Sequence, residues 1–73
     1  MRQKDSASAE FHKKYIKLYE HIVIVTMKDG SVIEGGFYDE FYEDKSILIS
    51  ELGKGVCIIK IADIIKMELS LKD

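Results

Sequence analysis

Apolar and polar positions along this chain change period several times, and each change predicts an element. Across residues 11–19 the apolar side chains Phe11, Tyr15, Leu18 and Tyr19 recur at helical spacing, with Lys13, Lys14 and Lys17 largely on the other side. This predicts an amphipathic helix over about residues 6–20, capped by Ser6 or Ser8, with its aromatic stripe packed on a sheet. Residues 1–5 (MRQKD) are charged and expected to fray. At Ile22 the pattern turns to β-branched residues. Val23, Val25 and Met27 share one face of the predicted strand, and Ile22, Ile24 and Thr26 the other. A strand apolar on both faces suits a barrel with a helix laid against it.

Asp29-Gly30 follows, flanked on both sides by apolar runs, and predicts a tight hairpin turn of the primed type, in which both residues hold positive φ. In the second strand Ile33, Gly35, Phe37, Asp39 and Phe41 alternate with Val32, Glu34, Gly36, Tyr38, Glu40 and Tyr42, and the first set is assigned to the inner face. Gly35-Gly36 in mid-strand is expected to mark a sharp bend or bulge. Residues 46–50 form a short strand with an apolar middle, and Gly53-Lys54-Gly55 is a turn. A fourth strand covers residues 56–61, with Cys57, Ile59 and Ile61 opposite Val56, Ile58 and Lys60. Ala62-Asp63-Ile64 breaks the alternation and fits a single helical turn. Met67, Leu69 and Leu71 then alternate with Lys66, Glu68, Ser70 and Lys72 as the final strand.

Composition narrows what such a chain can be. Its 73 residues contain no proline and are 47% hydrophobic and 33% charged, which fits a globular domain. A chain of this size buries only ~60% of its unfolded surface, so a disulfide, a metal or a partner usually supplements the core. One cysteine excludes an internal disulfide, and His12, His21 and Cys57 are too widely spaced for a structural zinc site. Association with further copies is the remaining means of support. No apolar run reaches membrane-spanning length and no secretory leader is visible, so a cytoplasmic protein without membrane contact is expected.

Charge is unevenly spread. Residues 1–28 hold six bases against three acids, a net +3, whereas residues 29–73 hold five bases against ten acids, a net −5. This is not the broad cationic footprint of a duplex DNA binder, although it permits a local basic patch. Residues 37–44 (FYDEFYED) interleave four aromatics with four acids and contain no base. Acids repel phosphates, so the segment reads as a half-buried strand with a solvated outer face, or as a surface for a basic partner. It lacks the pattern of a calcium loop. Cys57 reads as a small core hydrophobe. With no nucleophile–base pair and no metal cluster visible, an enzyme is not expected, nor is a cofactor or metal.

A helix followed by five short strands, the second strongly bent, is the layout of a small SH3-like barrel, and the details resemble the Sm/LSm family, including bacterial Hfq. The run from Leu18 to Gly30 (LYEHIVIVTMKDG) is similar to the start of that family's fold, as is Val32-Ile33-Glu34-Gly35 with a hydrophobe at Phe37. Phe41-Tyr42-Glu43-Asp44-Lys45-Ser46-Ile47-Leu48-Ile49 has the spacing of the family's Phe-Asp-x-x-hydrophobe-Asn motif and the three apolar residues after it. Tyr42 replaces the family's Asp and Ser46 its Asn. The interval from Gly35 to Phe41 is one residue longer than usual. Lys60-Ile61-Ala62 resembles the Lys-His-Ala of Hfq without the histidine, and the Arg-Gly of the second Sm motif has no counterpart.

The resemblance implies a mainly β fold, a five-stranded, strongly bent SH3-like (Sm-like) barrel with one N-terminal α-helix, as a single domain over residues 1–73. It implies a homo-oligomer, a hexamer or heptamer closed into a ring, that binds single-stranded uridine- or adenine-rich RNA near a central pore. The candidate RNA contacts are Lys45 and Ser46 on one loop and Lys60 and Ile61 on another. Lys45 would meet phosphate, Ser46 would donate to a base edge, and Ile61 would support packing. Glu43 and Asp44 oppose a phosphate backbone, so the RNA binding expected is weak or specialised. The alternative function is a protein-interaction or assembly module on the same barrel, with a basic protein segment as its partner. A PRC-type or other SH3-like barrel is the competing fold.

Overall fold

In a computed structural model of the chain, residues 6–71 are described. Their order is α1 (Ser6–Tyr15), a 3-10 turn (Ile16–Leu18), β1 (Ile22–Met27), β2 (Val32–Phe41), β3 (Ser46–Glu51), β4 (Gly55–Lys60), a second 3-10 turn (Ile61–Asp63) and β5 (Ile64–Leu69). The strands form one open antiparallel sheet in the order β4-β3-β2-β1-β5, so β4 and β5 are its edges. The fold is mainly β with one short N-terminal helix, as expected. The expectation of fraying at residues 1–5 and the last residues of the expected final strand, from 72 on, lie outside the described residues. Ser6 and Ser8 lie in α1, but the cap expected of either rests on side chains outside what is described.

The core lies on one face of the sheet, beneath α1. Val23, Val25, Phe37, Ile47, Ile49, Ile59 and Met67 are buried there, and Phe11 from α1 closes over them. Fully burying a side chain of this size is worth ~1.5–3 kcal/mol, so these few residues carry most of the driving force. The aromatics interlock, with ring centroids 6.4 Å apart for Phe11–Phe37 and 5.5 Å for Tyr19–Phe37, both edge to face. Of the two faces of β1, the one that carries Val23 and Val25 is buried.

The helix is shorter than residues 6–20. It ends at Tyr15 and tightens into the 3-10 turn, after which Tyr19 is already extended. The sheet is the cause. The Glu20 N–H donates to the Phe37 carbonyl at 2.7 Å, the Phe37 N–H returns a bond to the His21 carbonyl at 3.1 Å, and the Tyr19 hydroxyl donates to the Tyr38 carbonyl at 2.7 Å. Those bonds pull residues 19–21 onto β2, and Glu20 takes a positive φ of 72° to let the chain turn.

The β1–β2 turn also differs from the expected type. Gly30 alone has a positive φ, 94°, and Asp29 does not. The Gly30 N–H donates to the Met27 carbonyl at 3.0 Å and the Met27 N–H to the Ser31 carbonyl at 2.9 Å, which closes a three-residue loop ending in a left-handed glycine. Asp29 acts through its side chain instead, accepting from the Ser31 N–H at 2.9 Å and the Ser31 hydroxyl at 2.7 Å.

The irregularity in β2 falls at Tyr38 and not at the glycine pair. Phe37 pairs with Ile49 but Asp39 with Leu48, so Tyr38 is an extra residue. A one-residue shift exchanges the faces of everything beyond it. Asp39, assigned inward by strict alternation, is therefore exposed, and Glu40 turns inward opposite the buried Ile47. The two glycines serve close approach. Gly35 leaves room for the β3 backbone at Ser50 and Glu51, and Gly36 for the Tyr38 ring. The last strand starts two residues earlier than expected and ends at Leu69, leaving Leu71 outside it and 92% exposed. The single helical turn expected at 62–64 is present one residue earlier, at Ile61–Asp63.

Candidate functional site

Four residues, at the start of β3 and the end of β4 and in the turns next to them, meet at one end of the sheet. The β2–β3 loop ends in a tight turn, with the Lys45 N–H donating to the Tyr42 carbonyl at 3.2 Å and Lys45 itself at a φ of 53°. The left-handed region is costly for a residue with a Cβ, and here it aims the Lys45 carbonyl at the other loop. That carbonyl accepts from the Ile61 N–H at 2.9 Å, and Ser46 sits opposite Lys60 in the β3–β4 ladder. Lys45, Ser46, Lys60 and Ile61, widely spaced in sequence, are thus neighbours.

Their side chains differ in accessibility. Lys45 and Lys60 are exposed, and neither has an ion-pair partner among the described residues. Ser46 is 1% exposed, and its Oγ makes no hydrogen bond among the described residues. It lies below the surface that the two lysines present. Ile61 is half-buried and packs against the core. Glu43 and Asp44 stand exposed on the same loop as Lys45, so the field above the lysines is mixed.

A second cluster lies where α1 crosses the outer half of β2. The inward turn of Glu40 brings its Oε1 within 2.8 Å of His12 Nδ1, across 28 positions of sequence. In the sequence His12 bears only on a zinc site, for which its spacing is too wide. Nothing in the local pattern reveals the pairing, because it exists only once the extra residue at Tyr38 has reversed Glu40. Among the described residues no group of three His, Cys, Asp or Glu side chains is placed to hold a metal ion.

The sheet edges form the third feature. Outward apolar side chains accompany both: Val56 and Ile58 on β4 are 64% and 55% exposed, and Ile65 and Leu69 on β5 are 58% and 44% exposed. Cys57 on β4 is half-buried beside the core, and burial, aided by the Glu51 charge, pushes its thiol pKa up. That favours the unreactive protonated form and matches a packing role.

These features define a small mainly β domain with a five-stranded antiparallel sheet, two open edges and one N-terminal helix. No helix among the described residues is long and apolar enough to cross a membrane. No family model and no curated protein matches the chain.

Proposed function

We propose that the chain is a subunit of an Sm-like homo-oligomeric ring that binds single-stranded RNA weakly through Lys45 and Lys60. The observation that carries the reading is the convergence of the two loops, joined by the Ile61 N–H to Lys45 carbonyl bond of 2.9 Å. It brings two exposed lysines, without ion-pair partners among the described residues, to one end of the sheet, as contact with a phosphate backbone requires. Ser46 supports the loop from below, with a buried hydroxyl, rather than reading a base from the surface.

The sheet order supports the ring. Edges β4 and β5 present backbone donors and acceptors with apolar side chains beside them, and no proline interrupts either one. Pairing β4 of one copy with β5 of the next satisfies both edges, and a repeated head-to-tail contact closes into a ring of six or seven. Within that assembly the bent sheet forms the SH3-like, Sm-like barrel. A lone cysteine suits the reducing cytoplasm.

Fluorescence anisotropy with short poly-U and poly-A at two salt concentrations tests the RNA reading, and light scattering coupled to size-exclusion chromatography tests the ring. Binding should be weak at physiological salt, steeply salt-dependent, and lost in a Lys45→Ala/Lys60→Ala variant. Binding untouched by that double substitution, or indifferent to salt, refutes the assigned contacts. A strictly monomeric mass refutes the ring.

A further inference from the structure

We infer that the groove between α1 and the outer half of β2 is a binding site for an arginine side chain of a partner polypeptide. This inference does not depend on RNA binding. The groove has a volume of about 330 Å³ and is lined by His12, Ile16, Tyr19, Asp39, Glu40 and Tyr42.

Glu40 carries the case. Its side chain is only 9% exposed, although carboxylates seldom sit so deep without full pairing. One oxygen, Oε1, is met by His12 Nδ1 at 2.8 Å, which as the donor must hold the proton. The other, Oε2, is buried and has no hydrogen-bond partner among the described residues. A buried acceptor left unpaired is costly, and a donor delivered from outside recovers that cost.

The walls specify what kind of donor fits. Tyr19 is fixed by its hydroxyl bond of 2.7 Å to the Tyr38 carbonyl, and the His12 ring stands edge-on to Tyr42 at 5.9 Å. Aromatic faces beside carboxylates attract a cation. Asp39 adds a second carboxylate, and its Oδ1 accepts from the Glu40 N–H at 2.8 Å. Residues 37–44, which supply half of the lining, carry four acids and no base, so this wall of the groove favours a cationic partner. A guanidinium fits better than an ammonium, because its planar fork stacks on a tyrosine face while donating to a carboxylate at its edge. Tyr42 lines the groove and is 45% exposed, so its ring offers an accessible wall to a guanidinium beside Glu40. Ile16, 42% exposed in the lining, offers apolar surface to a residue next to the arginine.

The test is a two-dimensional NMR titration of the full chain with three capped pentapeptides, Gly-Gly-X-Gly-Gly, where X is arginine, lysine or citrulline. Citrulline keeps the shape of arginine without its charge. The arginine peptide should bind saturably, at least about tenfold tighter than the citrulline peptide and several-fold tighter than the lysine peptide, with shifts centred on His12, Tyr19, Glu40 and Tyr42. Glu40→Gln and the exposed Tyr42→Ala should each weaken the arginine peptide by about tenfold and several-fold respectively, the second without disturbing the fold. Neither substitution should change poly-U binding, which separates failure here from failure of the RNA reading. No saturation by about 10 mM peptide, equal binding of arginine and citrulline or of arginine and lysine, or shifts centred elsewhere would overturn the inference.

Discussion

Gly35 and Gly36 are adjacent, both buried, and should respond unequally to the same methyl group. A Cβ at Gly35 overlaps the Ser50 carbonyl oxygen and lies 2.7 Å from Glu51 Cα and 2.8 Å from the Ser50 carbonyl carbon. Every one of these obstructing atoms is backbone, so no rotamer change relieves the clash, and the Gly35–Glu51 pairing of β2 with β3 has to open. Overpacking of this kind costs ~1–3 kcal/mol. Gly35 is not in the left-handed region, so alanine also stiffens the unfolded chain and returns ~0.4–1 kcal/mol. The net expectation for Gly35→Ala is a loss of about 1.3 kcal/mol, which for a domain of this size lowers Tm by about 5–10 °C.

At Gly36 the obstruction is the far end of the Tyr38 side chain, which is 46% exposed and free to swing outward. Gly36→Ala should therefore stay within about 1 kcal/mol of the parent. Far-UV circular dichroism melts and urea titrations decide the matter. Both should be run at one protein concentration, because association makes Tm concentration-dependent. If Gly35→Ala melts within about 2 °C of the parent, or Gly36→Ala is the more damaging change, the close approach of β2 to β3 at this point is refuted.

Three further outcomes are expected. Gly30→Val should lose about 1–3 kcal/mol in the same melts, because φ is 94° while no atom lies within 4 Å of the added Cβ, so the cost is backbone strain alone. Phe11→Ala should lose about 3 kcal/mol in urea titrations and expose apolar surface to a hydrophobic dye, since Phe11 is 7% exposed over Phe37. The Asp29 carboxyl is held below its ordinary value of 3.8 by the Ser31 hydroxyl and then the Ser31 N–H. A depressed carboxyl stabilises fully above the ordinary aspartate range and loses that contribution as pH falls through the folded value. Urea midpoints of the parent and Asp29→Ala should accordingly converge between about pH 5 and about pH 2.

Much of the fold was legible along the chain because local chemistry repeats along it. A run of β-branched residues placed β1, though both its faces are apolar and the pattern did not say which one is buried. Gly30, Gly53 and Gly55 marked turns, and each takes a positive φ, while the break in alternation at residues 62–64 set the last strand apart. The four candidate contacts Lys45, Ser46, Lys60 and Ile61 could be named, though not their depth: strand pairing puts the Ser46 hydroxyl below the surface. What the pattern could not show was any feature made by one added residue or by distant pairing. The extra residue at Tyr38 reverses Glu40, since a strand has a period of two and a single insertion exchanges its faces. The His12–Glu40 pair and the groove around it follow from that reversal, and the helix ends at Tyr15 because β2 claims residues 19–21. Sequence pattern records what each segment prefers by itself, whereas register and depth are set by the segment it meets. Only the assembled sheet could decide those.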